Sequence, residues 1–139
     1  MIPDESTTFG QRVRRRLTEE QVVWLTTVGD DGTPQPNPVW FLWQGDDVLI
    51  YNATRARRLA HLRSRPRVSL HFNSDAGGDD VIVLAGTAEI VPDHPSAADN
   101  PAYREKYGDG MVQVSGSVEA FAEQYSVPAR IHITHVRGF

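Results

Sequence analysis

The sequence predicts an α+β domain, mainly β, in which about six strands form long hairpins that curl toward a barrel, with helices inserted between them. Three observations predict it. Short runs rich in Val, Ile, Thr and aromatic residues recur along the chain and are separated by Gly and Asp turn clusters. Apolar residues at helical spacing occupy several of the intervening stretches. A length of 139 residues, 40% hydrophobic and 23% charged, is that of one ordinary globular domain with a real core.

Residues 6 to 17 read as a helix, because Phe9, Val13 and Leu17 make one apolar stripe and Arg12, Arg14, Arg15 and Arg16 cover the rest. Thr18 with Gln21 resembles a capping box for a further helical turn. "VVWLTTV" (22–28) is a buried strand, and "GDDGT" supplies the turn after it. "TPQPNPVWFLW" is the second strand. Pro34, Pro36 and Pro38 stand two apart, so they remove N–H donors from one edge only. The strand is then either an edge protected by prolines or one side of a gap that something else fills.

"VLIYNA" (48–53) is the third strand. Thr54 is expected to cap a helix running to about Ser64, with Leu59 and Leu62 inward. "RVSLHFN" (67–73) alternates as a fourth strand, and "VIVLAGTAEIV" (81–91) is a fifth with a bulge at Gly86. Residues 102–108 and 115–125 read as helices, the second capped by Ser115, and 129–139 as the last strand.

Composition narrows the function classes. There is no cysteine, hence no disulfide, thiol nucleophile or Cys-based metal site. The five histidines show no metal-ligand spacing, and His132 and His135, three apart on a strand, are expected on opposite faces. No run of 18 apolar residues indicates a membrane span, and the first residues lack a signal-like apolar core, so a cytoplasmic location is expected. A net charge of -4 argues against a nucleic-acid module. Arginine outnumbers lysine 13 to one, a bias that fits a GC-rich, actinobacterial genome.

Six of those arginines lie in "YNATRARRLAHLRSRPRV" (51–68), between Arg55 and Arg67. Strand, then Asn52-Ala53-Thr54, then a helix starting at Arg55 is a favourable anion geometry, because first-turn amides are free and the helix dipole is positive there. Arg55, Arg57 and Arg58 would oppose that dipole unless an anion offsets them. A phosphate site and a solvated basic face both remain open. Arg63, Arg65 and Arg67 lie at the end where the dipole welcomes cations. Walker, GxGxxG, GxSxG and HExxH motifs are all missing, so a cofactor that brings its own chemistry suits the chain best.

The order of motifs in "WLTTVGDDGTPQPNPVWFLWQGDDVLIYNATRARRLAHLRSRPRVSLHF", continued through "VLAGTAEIV" to "ITHVRGF", resembles the FMN-binding split β-barrel superfamily. Within it, the chain is most similar to the B-type flavin/deazaflavin oxidoreductases, which are pyridoxamine 5'-phosphate oxidase-like. The resemblance implies a six-stranded split barrel with peripheral helices, homodimeric, with two cofactor sites at the interface. It implies that Gln35, Asn37, Pro38, Val39 and Trp40 lie along a tricyclic ring. Asn52, Ala53 and Thr54 would approach the ribityl chain and phosphate, and Arg58, assisted by Arg55 and Arg57, would hold the phosphate.

The cofactor implied is coenzyme F420, with FMN as the alternative. The "PNPVWF" and paired-arginine pattern, the Arg-rich composition and the extra cations for an anionic tail favour F420. The activity implied is hydride transfer from reduced deazaflavin to a small organic acceptor: a conjugated carbonyl, quinone or tetrapyrrole. His71 and Tyr51 are conceivable proton donors that nothing in the sequence selects. No counterpart of the substrate-phosphate residues of pyridoxamine phosphate oxidases is visible near the C-terminus. A protein that binds the cofactor without turning over an acceptor is the alternative of a different class.

Overall fold

The computed structural model describes residues 1–139. Helix α1 (Thr8–Glu19) leads into β1 (Val23–Val28), β2 (Pro34–Val39), β3 (Leu42–Gln44) and β4 (Asp47–Asn52). The short α2 (Arg58–Ser64) precedes β5 (Arg67–His71) and β6 (Ile82–Ile90), and α3 (Pro101–Ser115) and α4 (Val118–Gln124) precede β7 (Val127–Gly138). All pairings are antiparallel, in the order β2-β1-β5-β6-β7-β4-β3.

The stretch expected as one second strand is therefore two, β2 and β3, and six expected strands appear as seven. This division closes the sheet. β2 and β3 are its opposite edges, yet only Trp40 and Phe41 separate them. Val39 and Leu42 are three Cα steps apart, at most about 11 Å, so the two edges meet and the sheet is a split barrel. The prolines fit the edge position. β2 pairs with β1 from Pro34 to Val39, so the missing N–H groups are those facing the free edge.

Phe41 sits at this seam, fully buried and in no ladder, so its peptide groups need other partners. Helix α3 supplies them. The Phe41 N–H donates to the Tyr107 hydroxyl (2.9 Å), which donates in turn to the Gln21 carbonyl (2.8 Å). Lys106 Nζ donates to the Phe41 carbonyl (2.9 Å) and lies 3.7 Å from the Phe41 ring centroid. Phe41 is thus part of the core. Burial pushes the Lys106 amine down to about 8, with Glu20 partly offsetting it. The unfolded chain, with Lys near 10.5, then holds more protons between those pH values, so this group's contribution to stability rises as pH rises through about 8. Denaturant midpoints of wild type relative to Lys106→Met are expected to climb from pH 7.5 to 9.5; a flat difference would count against the burial.

Two apolar cores flank the sheet. The interior holds 19 buried residues, among them Leu25, Leu70, Leu84 and Ile131. A second cluster, Leu42, Leu49, Tyr51, Tyr103, Tyr107, Met111 and Phe121 among its members, packs α3 and α4 against the outside of β3 and β4. β4 is consequently buried on both faces, which explains why it reads as a continuous apolar run.

Local signals explain most boundaries. Thr7 caps α1 by accepting from the Gly10 N–H, and Val13 and Leu17 are buried as the stripe predicts. Thr18 starts no further turn: its hydroxyl donates to the Arg14 carbonyl, and the helix ends at Glu19. Arg16 is not solvated but buried, paired with Glu20 (2.9 Å) and Asp80 (3.3 Å). Asp80 also meets Arg12 at 2.6 Å, and that hydrogen bond holds its carboxyl below the usual range.

Gly86 marks the bulge, with the register shifting between Ala85 and Gly86. A Cβ there would stand 2.6 Å from the His132 carbonyl oxygen, which only glycine avoids. The shift resets the alternation, and His132 and His135 are both exposed. Helix α3 runs on to Ser115, beyond the expected end at residue 108. A Cβ on Gly110 would lie 2.9 Å from the Trp40 ring, so this glycine serves packing rather than a turn. Ser117, not Ser115, caps α4 by accepting from the Ala120 N–H.

Candidate functional site

The arginine-rich segment folds differently from the expected strand-to-helix cradle. Residues 53–57 are turns, with the Ala56 N–H donating to the Ala53 carbonyl (3.0 Å), and α2 begins only at Arg58. Thr54 caps nothing. The residue before the helix is Arg57, with no side-chain cap. Arg55 thus lies outside the helix, and a seven-residue helix contributes little dipole. The guanidinium groups themselves carry what charge there is.

They are not equivalent. Arg55, Arg57, Arg63 and Arg67 are exposed, and Arg65 meets Asp30 at 3.0 Å. Arg58 is half-buried and has no acid partner. Its Nε donates to Asn52 Oδ1 (2.6 Å), while neither terminal nitrogen makes a hydrogen bond within the chain. Burial pushes its guanidinium below its ordinary value, and only the nearby Tyr125 counters this. Asn52 is itself fully buried, and its Nδ2 donates to the carbonyls of Ile50 (3.1 Å) and Val127 (3.0 Å). Its side chain is therefore enclosed and engaged with the chain's own groups. It locks Arg58 from behind, and Ala53 and Thr54 belong to the adjoining turn.

Two cavities meet at Arg58. The first, of about 290 Å³, is polar and is lined by Thr27, Gln35, Asn37, Arg57, Arg58 and His61. The β1–β2 register explains it. Gln35 and Asn37 pair with Thr27 and Leu25, whose side chains are buried, so both turn toward the inner face while the prolines turn outward. His61 lies one turn beyond Arg58 on α2, and its Nδ1 is 3.0 Å from Thr27 Oγ1.

The second cavity, of about 250 Å³, lies on the outer side, between the β2 end and helices α3 and α4. Pro38, Val39 and Trp40 line it with Phe121 and Tyr125, and Arg58 is its one cation. Trp40 is stacked on Tyr107 (4.6 Å between centroids) and Phe121 (5.4 Å), which fixes its plane. The predicted residues therefore divide: Gln35, Asn37 and Arg57 on the polar side, Pro38, Val39 and Trp40 on the apolar side, and Arg58 on both. Sequence reasoning missed Thr27, His61, Phe121 and Tyr125. His61 alone had a local signal, its i,i+3 spacing from Arg58. No three or more His, Asp or Glu side chains converge as a metal site would need, and no helix is long and apolar enough to cross a membrane.

Residues 9–136 match the family model described as pyridoxamine 5'-phosphate oxidase. The chain belongs to this family. Its sheet is the FMN-binding split β-barrel of pyridoxamine 5'-phosphate oxidase-like proteins. Among solved structures it is similar to an F420 reductase, at 25% identity and a TM-score of 0.71, over 89% of this chain and 94% of that one. A conserved hypothetical protein from Mycobacterium tuberculosis matches at 21% identity and a TM-score of 0.71, over 99% and 84%. HutZ, the heme storage protein from Vibrio cholerae, matches at 13% identity and a TM-score of 0.65, over 95% of each chain. No protein of curated function matches the chain in sequence.

Proposed function

We propose that this family member is an F420-dependent oxidoreductase, a homodimer whose partner subunit covers the polar cleft and which reduces a small organic acceptor. The observation that carries the reading is Arg58: a half-buried guanidinium with no acid beside it, fixed by Asn52 and open to a cleft lined by further donors. Leaving such a cation unpaired is unfavourable unless an anion arrives. The donor set suits a phosphate joined to a polyhydroxy chain. Arg58 and Arg57 hold the charge, and the Gln35 and Asn37 amides, Thr27 and His61 offer hydrogen bonds to hydroxyl groups.

The bound deazaflavin supplies the chemistry, a hydride donor that passes two electrons together. The chain's part is to orient it and exclude water, with the proline-edged β2 as one wall. The 25% identity to an F420 reductase supports F420 over FMN. A fluorescence titration of cofactor-free protein with F420 and, separately, with FMN tests the choice. Tighter F420 binding supports the reading. Preference for FMN moves the protein to the flavin branch, and binding of neither leaves it a split barrel with a basic surface.

A further inference from the structure

We infer that the apolar cavity behind Arg58 is a second, separate site, for a flat one- or two-ring molecule that carries a carboxylate; this rests on the reading of the polar cleft as the cofactor's. Arg58 separates the two spaces. Locked through Nε, it has two terminal nitrogens free, enough to face an anionic group on either side. The polar cleft has other donors for a phosphate, whereas the apolar cavity has Arg58 as its sole charge.

The walls point to a planar occupant. Pro38, Trp40, Phe121 and Tyr125 offer apolar and aromatic surface, and Trp40 and Phe121 are held by mutual stacking. Tyr125 stacks on Phe121 at 4.5 Å, so the aromatic wall is continuous. At about 250 Å³ the cavity lies just below the usual range for drug-sized ligands, which favours a small ring system. No acidic side chain lines it to repel a carboxylate. An apolar pocket with one fixed polar group is the general form of a small-molecule site, the polar group setting orientation. The class of ligand is therefore an aromatic or conjugated carboxylic acid, placed next to the cofactor cleft as an acceptor has to be.

The probe pair is 2-naphthoate and its uncharged counterpart 2-naphthamide, titrated calorimetrically into the protein with and without saturating F420. Naphthoate is expected to bind about tenfold or more tightly than the amide, and about equally well in both states. Val114 lines the mouth of the cavity on α3 and is 53% exposed, so Val114→Trp should fold normally. It is expected to weaken naphthoate about tenfold or more while leaving F420 affinity within about threefold. Displacement of naphthoate by F420 would overturn the inference, because the cavity would then belong to the cofactor. So would equal binding of the amide, or naphthoate binding that ignores Val114→Trp, or no naphthoate binding at all. Naphthoate binding with the expected selectivity in a protein that takes neither F420 nor FMN would leave this site standing and remove the cofactor reading instead.

Discussion

Arg58→Ala is expected to weaken F420 binding by about 10- to 100-fold at low salt, the loss of charge-assisted hydrogen bonds worth about 1.5–3 kcal/mol. The wild-type affinity should itself fall as salt rises, and the variant should have a shallower dependence. Arg58→Lys is expected to recover little. Lysine keeps the charge but has no Nε to hold Asn52 at 2.6 Å while two further nitrogens face the cavities. Arg57→Ala, at an exposed position, should cost clearly less. Titrations below the melting temperature of each variant check this. An Arg58→Ala protein that binds F420 within twofold of wild type, about 0.4 kcal/mol, would return the arginines to the status of a solvated face.

Tyr107→Phe is expected to destabilise the fold by about 2–3 kcal/mol, with a fall in Tm on the order of 10 °C. The ring and its stacking on Trp40 survive the change, so the loss is confined to one hydroxyl. That hydroxyl accepts from the buried Phe41 N–H and donates to the Gln21 carbonyl. Burial raises its pKa, so it stays a protonated donor across the physiological range. Removing it orphans the Phe41 N–H at the seam between β2 and β3. Chemical denaturation of both proteins provides the measurement, and a difference under about 0.5 kcal/mol would mean that water replaces the hydroxyl at the seam.

What the sequence revealed and what it hid follow from the range of the interactions. Strand periodicity, the Gly86 bulge and the α1 stripe depend on neighbours in the chain, and all appear in the structure. The proline spacing correctly marked β2 as a strand unable to pair on both sides. Its break into β2 and β3 was hidden because the partners that satisfy Phe41 lie 65 and 66 residues away on α3. The same range concealed the true reason for Gly110, a glycine shaped by Trp40. At the site, the arginine cluster was visible but its members looked alike. Only the fold separates Arg58 from the rest, by burying it against Asn52 and keeping every acid away. The aromatic wall from Phe121 and Tyr125 left no trace near the arginines, since a different part of the chain brings it.

The position of β7 has a consequence for how the protein is made. It lies between β6 and β4, yet it is the last of the sheet's seven strands to be synthesised. Until then β4 and β6 each present an open edge, and β4 must wait for a partner 75 residues downstream of Asn52. A nascent chain stalled before Val127 would therefore expose two open strand edges at once, the condition under which β proteins aggregate. The two halves of the sheet, β2-β1-β5-β6 and β4-β3, can each pair within themselves, but they are joined only when this one strand emerges.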